Sequence, residues 1–176
     1  NITNAGLDFN ANDAGIIIYD YNLGDININS RSGRIIVQDS SANNMRLEMT
    51  DGFIRLQDTT AQSVNTTNPH GKTVVTDTNI NDLQVDGINK DIIVTDQKGK
   101  SILKNEHGSI ILNDLEGEID IFNRSGLIIS RQDTAVNGTA RTGSGRIRWH
   151  EVDDGQADFK IEACSGYTPD ADDQQP

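Results

Sequence analysis

The hydrophobic positions of this chain recur with a fixed period. Eight aliphatic segments follow one another at a nearly constant step: GIIIYD from Gly15, GRIIVQD from Gly33, GFIRLQD from Gly52, GKTVVTD from Gly71, KDIIVTD from Lys90, GSIILND from Gly108, GLIISRQD from Gly126 and GRIRWHE from Gly145. A weaker set alternates with them: GDININS from Gly24, NMRLEM from Asn44, SVNTT from Ser63, DLQVD from Asp82, GKSILKN from Gly99, GEIDIFN from Gly117 and a degraded VNGTA from Val136. Short runs of Ile, Val, Leu and Thr, bounded by Gly, Asn and Asp and lacking a helical period, read as strands. Self-similarity at such a period is the mark of a solenoid, in which no repeat can bury its apolar face alone. The predicted fold is all-β: a single-stranded β-solenoid (β-helix) with two short strands per coil of about 18–19 residues and about eight coils.

Strand side chains alternate between faces, so the positions that never carry charge give the phase. In the first set these are Ile17, Ile35, Ile54, Thr73, Ile92, Ile110, Ile128 and Ile147, with Tyr19, Val37, Leu56, Val75, Val94, Leu112, Ser130 and Trp149 two residues on. The second sheet repeats the pattern in Ile26 and Ile28, Met45 and Leu47, Val64 and Thr66, Leu83 and Val85, Ser101 and Leu103, Ile119 and Ile121. The column between the two inward ones of the first sheet is then outward. It holds Ile18, Ile36, Arg55, Val74, Ile93, Ile111, Ile129 and Arg148, whereas the second sheet's outward column is polar. An aliphatic stripe along the rod is the expected contact face, comprising Ile18, Ile36, Val74, Ile93, Ile111 and Ile129, for a protein partner or a second copy in a homodimer.

A column of carboxylates follows each first strand: Asp20, Asp39, Asp58, Asp77, Asp96, Asp114 and Asp133. Asp shapes corners by accepting backbone N–H groups and tolerating left-handed backbone, which is the expected role here. A second reading places Ca²⁺ along Asp39, Asp58, Asp77 and Asp96, because hard cations take carboxylate oxygens. The glycine-rich nonapeptide of calcium-binding β-rolls is absent from the sequence. No cofactor is otherwise expected.

Residues 1–14 break the frame, with Leu7 and Phe9 out of phase, and are expected to cap the solenoid of residues 15–166; Phe159 and Ile161 read as its last strand. Residues 167–176 are an acidic tail with the composition of disorder. The chain has 176 residues and a net charge of −12, which repels nucleic-acid phosphates and anionic lipid. No apolar run is long enough to span a membrane. Cys164 is the single cysteine, so neither an internal disulfide nor a thiolate zinc site can form. His70 and His107 fall in a turn-forming column two coils apart, about 10 Å from the strand spacing, too far for a proton relay. No hydrolase, zinc-protease, phosphate-loop or dinucleotide motif occurs, and no enzymatic activity is expected.

The repeat pattern, with GRIIVQD at Gly33, NDLEGEIDIFNRSG from Asn113 to Gly126 and GSGRIRW ending at Trp149, resembles that of bacterial adhesin-type domains of unknown function. The resemblance runs from about Gly15 to His150. It implies a β-solenoid exported to the periplasm, the cell surface or the medium, acting as a non-enzymatic scaffold or adhesion module of the cell envelope. The alternative from another class is a calcium-dependent glycan binder or an acidic-polysaccharide enzyme working along the aspartate edge.

Overall fold

The computed structural model describes residues 6–22, 24–152 and 159–163; within these, the side chains of 132–136, 150–152, 159 and 163 are left undescribed. The described chain is all β: β1 (Leu7–Tyr19), β2 (Ile26–Asn68), β3 (Lys72–Gly87), β4 (Ile92–Asn105), β5 (Ile110–Asn123), β6 (Leu127–Thr142), β7 (Arg146–Val152) and β8 (Phe159–Ala163). Every pairing is parallel, in the order β1-β2-β3-β4-β5-β6-β7, with β8 also on β6. The coils stack as a β-solenoid of about seven turns, slightly fewer than the repeat count. Among the described residues no helix is long and apolar enough to cross a membrane.

The register sets like residues over like. Ile54 lies beside Thr73, Thr73 beside Ile92, Ile92 beside Ile110 and Ile110 beside Ile128. All of these are buried, and so are the twelve second-sheet residues from Ile26 to Ile121 assigned inward by pattern. Each such aliphatic chain contributes about 1.5–3 kcal/mol through burial, shared between neighbouring coils. Where the coils shorten by one residue, the ladder slips between Asn79 and Asp82, opposite Lys98 and Lys100. The extra residue of the longer coils thus sits in the corner between the two sheets.

Two assignments near the amino terminus are corrected. Ile16, Ile17 and Ile18 pair with Ile35, Ile36 and Val37, so the first coil is one of the longer kind and its phase is shifted by one. Ile18 is 7% exposed and belongs to the core, whereas Ile17 and Tyr19 are 59% and 65% exposed. Three consecutive isoleucines fit either phase; the Asp20 corner over Asp39 selects this one. Leu7 and Phe9 are also in frame, beside Ile26 and Ile28. Residues 7–14 are therefore part of a coil, and Phe9 in it is exposed. Residues 1–5, 164–166 and the 167–176 tail lie outside the described residues.

The first corner carries a short ladder of its own. Thr59, Thr60 and Ala61 pair with Thr78, Asn79 and Ile80, and Asn22 bridges Ser41. Ala61 and Ile80 point inward, as do Ser40, Thr59 and Thr78. The buried hydroxyls are satisfied locally: Ser40 Oγ donates to Gln38 O at 2.7 Å, Thr59 Oγ1 to Gln57 O at 2.9 Å and Thr78 Oγ1 to Gln97 Oε1 at 2.7 Å. The opposite corner is closed by a buried polar column that includes Asn68, Asn105, Asn123 and Thr142. Asn105 and Asn123 each donate from Nδ2 to a backbone carbonyl, of Lys90 at 2.7 Å and of Gly108 at 2.8 Å. These bonds tie the turn to the sheet without an apolar side chain.

Candidate functional site

The outward face of the first sheet is built from alternate residues of each strand, which the register stacks into columns. Its central column is Ile17, Ile36, Arg55, Val74, Ile93, Ile111, Ile129 and Arg148, with Ile17 in the place expected for Ile18. Ile36, Val74, Ile93, Ile111 and Ile129 are half-buried between their neighbours. The stripe is one residue wide. Gln38, Gln57, Thr76, Thr95 and Asn113 flank it on one side, and Arg34, Phe53, Lys72, Asp91, Ser109, Leu127 and Arg146 on the other. The second sheet presents charge and amide instead, laced by Lys100–Glu118 at 2.7 Å and Arg141–Glu162 at 2.9 Å. Asp120 there accepts from Thr139 at 2.9 Å.

The aspartate column borders the same face. Asp20, Asp39, Asp58, Asp77, Asp96 and Asp114 all have left-handed backbone, with φ between 48° and 54°. Asp and Asn enter this region more readily than other side chains bearing a Cβ. That conformation turns the chain from the first strand into the corner, which accounts for the residue type at each repeat. The side chain of Asp133 is not among those described. All six carboxylates are exposed, and among the described residues no group of three or more His, Cys, Asp or Glu is disposed to hold a metal ion.

Replacing Asp58 by Ala is expected to destabilise the protein by about 1 kcal/mol, whereas Gly or Asn there should be nearly neutral. Chemical denaturation of the three variants checks this. A calcium role would instead make Asn and Gly as harmful to ligand binding as Ala.

The Asp96 carboxyl is pushed above the ordinary Asp range, first by desolvation, then by the charges of Asp77 and Asp114 and by a hydrogen bond with Asp77. A raised folded-state value means that the native protein holds this proton more tightly than the unfolded chain. Stability from this group is therefore present below the unfolded value and is lost as pH rises through the folded one. Asp96→Asn is expected to raise the melting temperature at neutral pH, with the gain shrinking as pH falls through the window just above the ordinary Asp value. Thermal melts across that range measure it.

His70 and His107 are surface turn residues. His70 Nδ1 lies 2.8 Å from Asn89 Nδ2, and His107 Nδ1 lies 2.9 Å from Ser125 Oγ, each one coil along the stack. The His150 side chain is not described. Neither a protein-family model, nor a curated protein, nor a solved structure matches this chain.

The repeat pattern shows the stripe, with Arg55 and Arg148 in its column, but not the cations that flank it. Arg34, Arg55, Lys72, Arg131, Arg146 and Arg148 all lie on the first-sheet face, with Asp91 as its one acid among the described residues. The signal was available in the segments themselves, since GRI, FIR, GKT and GRIRW place their cations at outward positions.

Proposed function

We propose that the protein is a non-enzymatic β-solenoid scaffold that works through contact, with the outward face of the first sheet as its docking surface. The observation that carries this reading is the aliphatic column Ile36, Val74, Ile93, Ile111 and Ile129, whereas the second sheet's outward columns are mostly polar, with Ile102 and Phe122 as scattered apolar positions. Solvent-facing positions of a parallel sheet accept polar or charged residues, as at Gln84 and Asp120 on the second sheet. Contiguous apolar surface marks an interaction site. The resemblance of the repeats to bacterial adhesin-type domains supports a role in adhesion at the cell envelope, outside the cytoplasm.

The rival reading along the aspartate edge has less support, because left-handed corners already explain why Asp recurs. A photo-crosslinking amino acid at position 93 or 111, in the cells that make the protein, tests the docking surface. Adducts are expected from 93 and 111 and not from position 84 on the second sheet. Equal labelling from all three positions, or none from any, would refute the proposed face.

A further inference from the structure

The first-sheet face is electrically unlike the chain that carries it. The chain has a net charge of −12, yet the outward columns of this face bear six cations against Asp91 alone among the described residues; the aspartate column lies just beyond the Gln38 flank, and Arg34, Lys72 and Arg146 stand on the opposite flank, away from it. The cations form two groups. Arg34, Arg55 and Lys72 lie on the second to fourth coils, and Arg131, Arg146 and Arg148 on the seventh and eighth. Between them, on three ladder steps of about 4.8 Å each, the central column is Val74, Ile93, Ile111 and Ile129. Arg34, Lys72, Arg131 and Arg146 are exposed, and no ion pair ties them to the described part of the protein. On the second sheet, by contrast, Lys100 and Arg141 each pair with an acid one coil along the stack.

Resting on the reading of this face as the docking surface, we propose that its partner is a protein bearing an apolar strip with clusters of Asp or Glu at both ends. Charge complementarity selects that chemistry, because opposite potentials across an interface steer association while like charges cost several kcal/mol. A second copy does not fit: two such faces brought together meet as cation on cation in either orientation. A linear polyanion wants cations at every step, and it would run over the uncharged centre, with Asp91 on one flank and the aspartate edge beyond the other. An anionic bilayer would meet that same edge and the chain's overall negative charge.

The test uses a displayed library of random sixteen-residue peptides, long enough when extended to reach both cationic groups, selected on the immobilised full chain. Enriched peptides are expected to combine an apolar centre with flanking acids. Their affinity should fall at least tenfold for Arg34→Glu/Arg146→Glu and for Ile93→Ser/Ile111→Ser, weaken with salt, and be unchanged for Lys104→Glu on the second sheet. Circular dichroism and melting temperature confirm that each variant is folded; should either double variant unfold, Lys72→Gln/Arg131→Gln and Ile93→Thr replace it. Peptides without acids, lost with the isoleucine variant but not with the arginine one, would overturn the acidic partner and leave the docking surface standing. Binding indifferent to both variants, or no enrichment at all, would overturn both. Arginine-dependent binding of dextran sulfate, or of vesicles made from equal parts of phosphatidylcholine and phosphatidylglycerol, in place of the peptides would also overturn the proposal.

Discussion

Val94→Asp should abolish or severely weaken folding at neutral pH, while Ile93→Asp, one residue earlier, should change stability by less than about 1 kcal/mol. Val94 is fully buried on the fifth coil, beside Val75 and Leu112. A carboxylate there enters an aliphatic column between Val75 and Leu112. An unpaired buried charge costs about 3–5 kcal/mol or neutralises itself by a raised pKa, against a total stability of about 5–15 kcal/mol for a domain. The loss is compounded because a central coil is the sole link between those on either side, and coil stabilities in a solenoid add through nearest-neighbour interfaces. Below the raised pKa of the new carboxyl the variant should recover part of its stability. Ile93 is half-buried on the outward face, where Asp remains solvated. Urea unfolding of the two variants, with Val94→Ala as a cavity control expected at about 2 kcal/mol, compares them. Equal damage at 93 and 94 would mean that the assigned phase is wrong.

Gly52→Val is the second large effect, expected at about 3 kcal/mol or more and a fall in melting temperature of about 10 °C. Gly52 sits at φ 138°, where side chains are strained, and a Cβ there would overlap the carbonyl oxygen of Gly33 in the coil before it. That oxygen belongs to the rigid ladder and cannot move without unpairing a coil. Glycine recurs in this column at Gly33, Gly52, Gly71, Gly108, Gly126 and Gly145, and each would press its Cβ on the preceding coil. Lys90 occupies the same column without positive φ, so at that coil the backbone makes room for a side chain. Lys90→Val should accordingly be nearly harmless; differential scanning calorimetry of the two substitutions separates backbone strain from a general dislike of bulk.

The core was legible because a parallel stack repeats its environment. Isoleucines and valines one full coil apart occupy equivalent sites, so one column can be read from the others. The first coil escaped that logic because Ile16, Ile17 and Ile18 are interchangeable to a pattern of hydrophobicity; only the step from Asp20 to Asp39, equal to that from Asp39 to Asp58, distinguished the phases. The buried polar corner was missed for the opposite reason. Asn68, Asn105 and Asn123 are polar and leave no mark in a pattern of hydrophobicity, yet each lies three residues before a column glycine; the amide of Asn68 donates to Lys72 O, and those of Asn105 and Asn123 donate to carbonyls of the preceding coil. This also removes Asn123 as a glycosylation acceptor despite its N-R-S sequon, since its side chain is fully buried. The charge pattern of the contact face was hidden in a sum: a net of −12 says nothing about cations that share one side of a sheet.

The register of the stack is the claim from which the core, the corners and the contact face all follow. Pulsed electron–electron spin resonance tests it on a protein with Cys164 replaced by Ser and spin labels at Gln38 paired in turn with Thr95, Asn113 and Arg131. These positions share one outward column on the second, fifth, sixth and seventh coils. The predicted result is a mean distance that rises by about 5 Å with each coil, from about 14 Å to about 24 Å between backbones. Distances that are equal across the series, or that jump by the width of the sheet, would contradict it.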